Sequence, residues 1–561
     1  MKIDISFRRV AAFTLPCLCW ALVASTTACG DDDDDDDSGE PTAGAGGSSA
    51  GKGSAGSSNG GKSAAGSATG GTPTAGTAGK DTGGTSPEGG TTNTPVGGAA
   101  GEQPGGAGAG GEQPGGGGEG GGGEITEALP VIINASPTGH DRFYNTTFDA
   151  AGNLYAVGQI TSSNDATADI ATLVAKFTPQ GKLDASFGSG GLYVRNVVSG
   201  TNGELFRGIV VQSTGKIVVA GTIEQAGAVD PRDRDGALMR INADGSKDTT
   251  FGVDGILKLP LSTGVVRGTG FSVDSVWGLA RYADDRLVVS GGKVREGGTD
   301  TNFVILRFSA NGAPDLDFGT NGMVEVDTAV DGEPHNNASP RNVTILPGTD
   351  GIVGAGYQPK PGADTSPVVF KVTDGGDLDD TFGDHGVFHT ALLDEQTESY
   401  SAVVQPIVGG GYKLVTTGYG RQLETETTDL VSLRLTSNGQ IDETYGEDGL
   451  VRIDVGGFGD NSRNLLVLPD RRIVLVGGGR LTSANVDGIV AVLTPDGAPD
   501  TTVGPDGWKR FDLGGPADFF WGVSLSPNQQ TLGVVGIKGV GNAPMPASTA
   551  DDAAVLWLPV P

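Results

Sequence analysis

Residues 181–191 read GKLDASFGSGG, and this stretch returns five more times along the chain. Glycine, aspartate and an aromatic–glycine pair keep fixed places in nearly every copy. The later copies are 245–255 (GSKDTTFGVDG), 312–322 (GAPDLDFGTNG), 376–386 (GDLDDTFGDHG), 439–449 (GQIDETYGEDG) and 497–507 (GAPDTTVGPDG). A motif that recurs at a period of about 60 residues indicates a repeat architecture.

Each period holds four short apolar runs, rich in valine, isoleucine and leucine and bounded by Gly, Asp, Asn and Pro. The second run closes on glycine, as in 215–221 (GKIVVAG) and 152–158 (GNLYAVG). Runs of this length and composition predict strands rather than helices. Four antiparallel strands per repeat are the unit of a β-propeller blade, so we expect an all-β fold of stacked four-stranded blades.

The number of runs predicts how the ring closes. The second run occurs seven times, but the last repeat ends at residue 561 with only three runs. An extra run at 129–133 (LPVII) precedes the first repeat and matches the missing fourth strand. The sequence therefore predicts a seven-bladed β-propeller in which this N-terminal strand completes the last blade and removes an open sheet edge.

The motif itself has a structural interpretation. We expect its Asn/Asp-Gly or Gly-Gly step to supply the positive φ of a tight turn. We expect its aromatic residue to pack between adjacent blades, with ligand stacking as the alternative. The aromatic–glycine pairs are Phe187 and Gly188, Phe251 and Gly252, Phe318 and Gly319, Phe382 and Gly383, and Tyr445 and Gly446, with Val503 in the degraded sixth copy.

The motif aspartates are expected to cap backbone amides of the turn. They are Asp184, Asp248, Asp315, Asp379, Asp442 and Asp500. A ring of calcium sites at these positions stays open as the alternative. The segment 230–236 (DPRDRDG) also echoes a calcium loop, but it lacks the glutamate that would complete one.

The pattern G-x-x-D-x-x-F-G-x-x-G, preceded by runs such as GKIVVAG, resembles the delta-60 repeat family of myxobacteria and related bacteria. The resemblance covers roughly residues 125–561 and departs at Val503 and in the last repeat. It implies a secreted or surface β-propeller, and it brings no catalytic residues to this chain.

The N-terminus predicts export. Residues 2–9 carry Lys2, Arg8 and Arg9, and a mostly apolar stretch of 10–24 follows, so 1–28 is typical of a signal peptide. Cys29 comes directly after Ala28, as in a bacterial lipobox, which predicts lipidation of Cys29 and a membrane anchor. Ordinary cleavage near the same place is the alternative. We expect the outer membrane or cell surface rather than the inner membrane.

Residues 29–124 are expected to form a disordered tether that carries a head, residues 125–561. Seven aspartates at 31–37 precede a stretch of Gly, Ala, Ser, Thr and Pro that offers no apolar surface to bury. Residues 1–124 hold 6 of the 37 basic and 15 of the 68 acidic residues, which leaves the head with 31 and 53 and a formal charge of −22. Such a head repels phosphates, so we expect no nucleic-acid partner and a monomer.

No catalytic constellation is recognisable in the head. No cysteine follows Cys29, and no G-x-S-x-G or H-E-x-x-H motif occurs. The four histidines are His140, His335, His385 and His389. His385 and His389 flank the start of one fourth strand and would lie about 13 Å apart along it, too far to share a metal, so we expect these two on the surface. The sequence therefore predicts no cofactor, apart from calcium as a remote alternative, and no enzyme.

Two features indicate where a ligand could bind. Trp521 and Phe519–Phe520 fall on a first strand, next to the channel of a propeller, where they either bind a ligand or pack between blades. The other tryptophans of the head are Trp277, Trp508 and Trp557. The longest connections, 224–234, 294–301 and 358–366, all join second to third strands and should emerge at one end of the ring.

Taken together, the sequence predicts a tethered lipoprotein whose head binds a protein or polysaccharide of the cell envelope, without catalysis. The alternative is an extracellular glycan hydrolase or lyase with carboxylates at the channel mouth, since a glycosidase requires only two well-placed acids.

Overall fold

The computed structural model describes residues 130–561 apart from 166, 201–202, 226–233, 263–273, 299, 330–335, 361–362, 394–395, 422–426, 484 and 541–549. The signal peptide, Cys29 and the tether predicted above lie outside the described residues. The described residues contain strands, turns and bends but no helix, and hence no helix that could cross a membrane. The prediction of an all-β head is confirmed.

The strands occur in sets that repeat along the chain. The first half comprises β1 (Val131–Ile133), β2 (Asp141–Phe148), β3 (Leu154–Thr161), β4 (Ile170–Phe177), β5 (Leu192–Arg195), β6 (Leu205–Val211), β7 (Ile217–Glu224), β8 (Arg234–Ile241), β9 (Ile256–Leu259), β10 (Ser275–Arg281), β11 (Leu287–Val294), β12 (Thr301–Phe308) and β13 (Met323–Val326). The second half comprises β14 (Ser339–Ile345), β15 (Ile352–Lys360), β16 (Ala363–Val372), β17 (Val387–His389), β18 (Gln396–Thr397), β19 (Ser401–Pro406), β20 (Tyr412–Arg421), β21 (Asp429–Thr436), β22 (Leu450–Ile453), β23 (Asn461–Val467), β24 (Ile473–Thr482), β25 (Asn485–Leu493), β26 (Trp508–Phe511), β27 (Phe519–Leu525), β28 (Thr531–Lys538) and β29 (Asp552–Pro559).

Most strands pair with their sequence neighbours in four-stranded antiparallel sheets. Four sheets have the orders β2-β3-β4-β5, β6-β7-β8-β9, β10-β11-β12-β13 and β23-β24-β25-β26. The strands from β14 to β22 form one nine-stranded sheet, because the short β18 lies parallel to β16 at Thr365 and antiparallel to β20. The sequence analysis did not anticipate this connecting strand.

The remaining sheet joins the two ends of the described chain. Its order is β1-β29-β28-β27, so the N-terminal strand lies beside the last strand. The pairs are Val131 with Val555, Ile132 with Ala554 and Ile133 with Ala553. The predicted pairing of the N-terminal run with the final repeat is therefore confirmed. The first strands contact one another in turn, from β2 through β6, β10, β14, β19 and β23 to β27, and β27 returns to β2.

The hydrophobic core lies between neighbouring sheets. The second strand β7 is buried along its whole length, as expected for a sheet covered on both faces. Phe187 packs between the first and second sheets with Phe206 and Met239, and Phe251 packs between the second and third with Leu287. Phe318, Phe382, Tyr445 and Val503 occupy later clusters of the same kind. The prediction that the motif aromatic packs between blades is confirmed.

The rest of the motif fastens each turn to the next sheet. Asp248 accepts hydrogen bonds from the backbone N–H and the hydroxyl of Thr250 (3.0 and 2.6 Å) and pairs with Arg240 (2.6 Å), which confirms the predicted capping. Gly188 donates its N–H to the carbonyl of Asp244 in the following sheet (2.9 Å). The turn before β9 has positive φ at Asp254 and Gly255 (57° and 88°), the type I′ signature that the Asp-Gly step predicted.

The antiparallel order gives the fold two different ends. The turn end carries the first-to-second connections, such as 212–216, and the third-to-fourth connections with the motif. The loop end carries the connections from second to third strands and those from the fourth strand of one set to the first strand of the next. Both kinds lie at the same end of the sheet, because the start of a first strand pairs with the end of the second strand, as Leu205 of β6 does with Thr222 of β7. The two ends have different chemistry.

Candidate functional site

The first strands of the successive sets, β2, β6, β10, β14, β19, β23 and β27, contact one another in a closed circuit. At or next to each of them, one side chain contacts the corresponding side chains of its neighbours near the axis of this circuit. In six first strands it sits at an irregularity in the pairing with the second strand, as Arg207 does between Phe206 and Gly208. In the fifth, Tyr400 lies immediately before β19. These residues, here called the collar, are Tyr144, Arg207, Trp277, Arg341, Tyr400, Arg463 and Trp521.

The glycine that closes each second run explains why the irregularity forms there. A Cβ on Gly221 would lie 2.2 Å from the carbonyl oxygen of Leu205, in the opposing first strand, and one on Gly158 would lie 1.9 Å from that of Arg142. Only glycine allows so close an approach of two backbones. The repeated glycine thus permits the bulge that turns each collar side chain towards the axis.

Arginine and aromatic residues alternate around the collar. The guanidinium of Arg207 lies 3.7 Å from the ring centroid of Trp277 and 5.1 Å from that of Tyr144. Arg341 lies 3.9 Å from the ring centroid of Trp277 and 4.9 Å from that of Tyr400.

The circuit then closes through one further arginine. Arg463 lies 4.2 Å from the ring centroid of Tyr400 and 4.8 Å from that of Trp521. Trp521 and Tyr144 meet edge to face, with their centroids 5.3 Å apart. Each arginine is therefore flanked by aromatic rings, which hold its planar group in place by cation–π attraction.

A buried carboxyl group lies against one side of the collar. Glu398 is 6% exposed, accepts a hydrogen bond from Gln396 (2.7 Å) and interacts electrostatically with Arg341 and Arg463. Burial raises the pKa of Glu398 above its ordinary value, against the effect of the two arginines. Burial also raises the pKa of the neighbouring Tyr419 far above its usual range. Groups with pKa values shifted in this way are frequent at functional sites.

The collar is deep rather than superficial. Apart from the half-buried Trp277, its members are 5–8% exposed. The indole N–H of Trp521 is buried and has no hydrogen-bond partner among the described residues. A buried donor of this kind is costly unless a ligand or water satisfies it.

A second set of carboxylates supports the loop end. Asp141, Glu204, Asp274, Asp460 and Asp518 each stand just before or at the start of a first strand. They accept backbone N–H groups of the preceding loop, as Asp274 does from Leu261 (2.7 Å). Burial raises the pKa of these groups, to about 7 for Asp141, Glu204 and Asp460 and to about 6 for Asp274 and Asp518.

Two equivalent aspartate clusters occur in successive repeats at the same end. One joins Asp429, Asp454 and Asp460, and the other joins Asp487, Asp512 and Asp518. Asp429 already pairs with Arg452 (2.6 Å) and Asp487 with Arg510 (2.5 Å). Their carboxylates thus have cationic and backbone donors within the protein, which reduces the case for calcium. The motif aspartates likewise bind protein donors.

Of the two histidines expected on the surface, His385 is exposed and His389 is half-buried. His140 is half-buried, and its Nδ1 lies 3.1 Å from Asp551. His389 is half-buried beside the carbonyl of Gln358. Only His385 is exposed, in the turn before β17, with φ of 48°. His335 lies outside the described residues. The structure brings no two of the three described histidines together.

The described parts of the predicted long loops lie at the loop end, but they are not alike. Residues 226–233, which include most of the suspected calcium loop, lie outside the described part of the chain. The connection 294–301 contains an Arg295–Asp300 ion pair (2.8 Å). The connection 358–366 is shorter than predicted, because its residues pair within β15 and β16, up to Lys360 with Ala363.

The tryptophans divide between the collar and the packing between sheets. Trp277 and Trp521 belong to the collar, as the position of Trp521 on a first strand suggested. Trp508 lies on the outer strand β26, and Trp557 packs edge to face on Phe177 (5.3 Å). Phe519 contacts Trp521 (5.2 Å), whereas Phe520 is buried between sheets.

Sequence reasoning missed the three collar arginines, although a signal for them existed. Alignment of the first strands places D-R-F-Y, E-L-F-R, D-S-V-W, D-N-S-R and D-F-F-W in register, at 141–144, 204–207, 274–277, 460–463 and 518–521. In these five the fourth position is aromatic or arginine and the first is acidic, whereas the repeats that contain Arg341 and Tyr400 have Ala338 and Thr397 at the first position. A polar residue among apolar strand positions is the feature that could have revealed the collar.

A separate cavity lies away from the collar, between the outer strands of the first and second sheets. It has a volume of about 740 Å³ and is lined by Val197, Val253 and Leu257 and by the Arg195–Asp254 ion pair (3.0 Å), among others. Its lining is mainly apolar, so it offers less for chemistry than the collar.

Comparisons with known proteins address the fold. Residues 212–251 match a family described as a domain of unknown function that forms a β-propeller, DUF5122, which is related to the delta-60 repeats. This match runs from the turn before β7 through the motif at Phe251. No curated protein sequence matches the chain.

Solved structures of similar fold are propellers with low sequence identity. An α-L-arabinofuranosidase from Fusarium graminearum, in complex with an iminosugar inhibitor, is 12% identical with a TM-score of 0.34, over 62% of this chain and 91% of that one. The polysaccharide lyase Uly1 is 8% identical with a TM-score of 0.41, over 73% and 89%. The β-propeller domain of the Trilobed protease from Pyrococcus furiosus is 8% identical with a TM-score of 0.33, over 70% and 89%. The four-stranded antiparallel sheets and the family match, rather than these distant likenesses, support a β-propeller fold for the chain.

These comparisons correct one prediction. The sequence analysis concluded that the chain is not an enzyme, and this conclusion is wrong, since an arabinofuranosidase, an arabinanase and a polysaccharide lyase are among the similar structures. The lack of a recognisable motif did not justify it, because acids and tyrosines brought together by folding leave no motif in the sequence. The likeness is too distant to assign a substrate or a catalytic residue to this chain.

Proposed function

We propose that this chain is an exported, lipid-anchored β-propeller of seven blades that binds a polysaccharide of the cell envelope at the collar. The observation that carries the proposal is the collar itself, in which each repeat contributes one arginine or aromatic side chain to a single axial group. A repeat position that varies in this way, among otherwise uniform strands, is typical of a binding position rather than of packing.

The blade number is supported by the first strands. Seven of them follow one another in a circuit, each with one collar residue, and the nine-stranded sheet then counts as two blades joined by β18. Deletion of residues 126–136 should lower the melting temperature of the head sharply, because β29 would lose its partner. An unchanged melting temperature would contradict closure by this strand.

The cellular location is supported by the sequence alone. The apolar segment 10–24, the Ala28–Cys29 step and a tether of 87 residues (38–124), with an end-to-end span of roughly 50 Å, suit a head held away from a membrane. Expression with a radiolabelled fatty acid should label the wild-type chain but not a Cys29→Ser variant. Equal labelling of both would rule out this anchor.

A polysaccharide suits the depth of the collar better than a protein does. Most collar side chains are less than a tenth exposed, so a flat protein surface could not reach them, whereas the end of a sugar chain could. A protein that inserts a single side chain would be the other outcome of a binding experiment.

The experiment uses the full chain with Cys29→Ser, which removes the anchor, and a panel of bacterial and algal polysaccharides. We expect saturable binding that Trp277→Ala abolishes and Trp508→Ala preserves. The two tryptophans are both half-buried, but one lies on an innermost strand and the other on an outermost strand. Equal loss in both variants, or no loss in either, would overturn the assignment of the site.

A second function, cleavage of the bound polysaccharide, is favoured by Glu398. Its burial beside Arg341, Arg463 and Tyr419, with a raised pKa, provides an acid that could donate or accept a proton. The same panel should be assayed for new reducing ends and for unsaturated products. Turnover that Glu398→Gln abolishes without loss of binding would establish the enzyme, and binding without turnover would leave a binding protein.

A further inference from the structure

We infer that the cavity between the outer strands of the first and second sheets binds a fatty acid, with the alkyl chain inside and the carboxylate at the rim. This cavity is separate from the collar, so the inference does not rest on the proposed function. It depends on the volume of the cavity, on the apolar side chains within it and on the charges at its opening.

The base of the cavity is continuous with the hydrophobic core. Ile256 of β9 belongs to the cluster between the first and second sheets, and Val197, which follows β5, packs against that cluster. Val198 and Ile256 are 9% and 7% exposed, so the base consists of aliphatic side chains that water scarcely reaches. The volume of about 740 Å³ lies within the range of small-molecule sites, most of which have mainly apolar walls.

The rim of the cavity carries an exposed apolar residue. Val253 lies in the tight turn before β9 and is 83% exposed. An exposed valine is unremarkable on its own, but this one borders an apolar cavity and extends its wall outward. An alkyl chain in the cavity would cover Val253 and remove apolar surface of both partners from water.

The opening of the cavity favours an anion. The lining contains two basic residues, Arg195 and Lys258, and one acidic residue, Asp254. The carboxylate of Asp254 is already held by Arg195 (3.0 Å) and by Lys247 (2.5 Å), so its charge is offset within the protein. Lys258 is exposed and forms no ion pair among the described residues, which leaves its ammonium to meet a ligand carboxylate at the rim.

A fatty acid matches both features, because its charge lies at one end of an apolar chain. The carboxylate stays hydrated beside Lys258, which avoids the large cost of burying a charge. A long polyanion is disfavoured by the head, whose formal charge is −22. A neutral sugar is disfavoured as well, since its hydroxyl groups would lose water against aliphatic walls without gaining hydrogen bonds.

The experiment uses the full chain with Cys29→Ser, here called the parent chain, which lacks the protein's own anchor. Calorimetry measures its affinity for hexanoate, octanoate, decanoate and dodecanoate. We expect the affinity to rise about fourfold with each added methylene until the cavity is full. No binding of any of these acids, or an affinity that does not depend on chain length, would overturn the inference.

The methyl ester of decanoate isolates the role of the charge, since it keeps the chain and removes the anion. At low salt the acid should bind about two- to fivefold more tightly than the ester, and Lys258→Gln should abolish this difference. Lys182→Gln removes the same charge from an exposed position outside the lining and should preserve the difference. Equal affinity of the parent chain for acid and ester would overturn recognition of an anion.

Two matched substitutions at exposed valines locate the site. Val253→Glu should lower the affinity for decanoate about tenfold or more, because it removes apolar wall and places a negative charge at the opening. Val408→Glu introduces the same charge at a valine that is 81% exposed, between β19 and β20, and should leave the affinity unchanged. Val253→Leu keeps the wall apolar and should bind as the parent chain does. Equal loss in both glutamate variants, or no loss in either, would overturn the assignment of the site.

Two further measurements distinguish a free fatty acid from other lipids. Vesicles of phosphatidylcholine and phosphatidylglycerol should not bind the parent chain through this cavity. Vesicle binding that Val253→Glu abolishes, together with no binding of the free acids, would assign the cavity to a membrane surface and overturn the inference. The chain isolated with Cys29 intact should bind decanoate as the parent chain does. Failure of that chain alone would show that its own acyl group fills the cavity, which would also overturn the inference.

Discussion

The two ends of this propeller are built from the same strands but use their polar residues in opposite ways. At the turn end the same aspartate, aromatic and glycine recur, and each aspartate binds a cation and a backbone amide. At the loop end the collar position changes from blade to blade, and the carboxyl groups that precede five of the first strands are buried with raised pKa. Uniform repetition fastens the sheets together, whereas variation at one repeat position builds a site.

The largest expected effect concerns the turn end. Phe251→Ala should lower the free energy of unfolding by about 3–5 kcal/mol, because it leaves a cavity between the second and third sheets. Chemical denaturation would measure this loss. Val253→Ala, two residues further along the same turn and 83% exposed, should leave stability unchanged. If both variants were equally stable, the motif would not fasten the sheets.

The two ends should also respond to pH in opposite directions. Folded Glu204 and Asp274 bind protons more tightly than the unfolded chain does, with pKa values of about 7 and about 6, so their contribution to stability falls as pH rises towards neutrality. Hydrogen bonds from Ser186 lower the pKa of Asp184 to about 2, and those from Lys371 and Thr381 lower that of Asp379 to about 2. Their contribution is present above about pH 4 and is lost as pH falls to 2.

The melting temperature should therefore be highest near pH 5 and decrease on both sides. Asp274→Asn should flatten the decrease between pH 5 and pH 8, and Asp379→Asn should flatten the decrease below pH 4. Calorimetry across this range measures both slopes. A profile that rises steadily from pH 5 to pH 8 would contradict the buried, proton-binding state of the loop-end carboxyl groups.

The smallest expected effect concerns calcium at the aspartate clusters of the loop end. Because Asp429 and Asp487 already pair with Arg452 and Arg510, addition of millimolar calcium or of a chelator should not change the melting temperature. Arg452→Gln provides the comparison, since it frees Asp429 and should make the protein more sensitive to calcium. A marked stabilisation of the wild-type head by calcium would show that the clusters bind the ion.

The fold was largely predictable because its signals are local and repeated. Asp254–Gly255 sets a turn by its own backbone preference, and β7 shows its burial by its composition. The N-terminal strand could be assigned because one fourth strand was missing. The two-residue strand β18 carried no such signal, since Gln396 and Thr397 are polar and pair only through tertiary contacts.

The collar was harder to predict because its members are about 60 residues apart in sequence and meet only at the axis. Trp521 was recognised as a first-strand aromatic near a channel, but Arg207 and Arg341 resemble exposed strand residues until the bulges show where they point. Glu398 illustrates the same difficulty, because its raised pKa depends on burial that the sequence does not display.

The most direct test measures polysaccharide affinity and melting temperature together for one variant at each end. Trp277→Ala, at the half-buried collar position, should lose the saturable binding of the wild type while the protein remains folded. Phe251→Leu should melt at a clearly lower temperature and, well below that temperature, bind as wild type does. A Trp277→Ala variant that binds with unchanged affinity would contradict the assignment of the site to the collar.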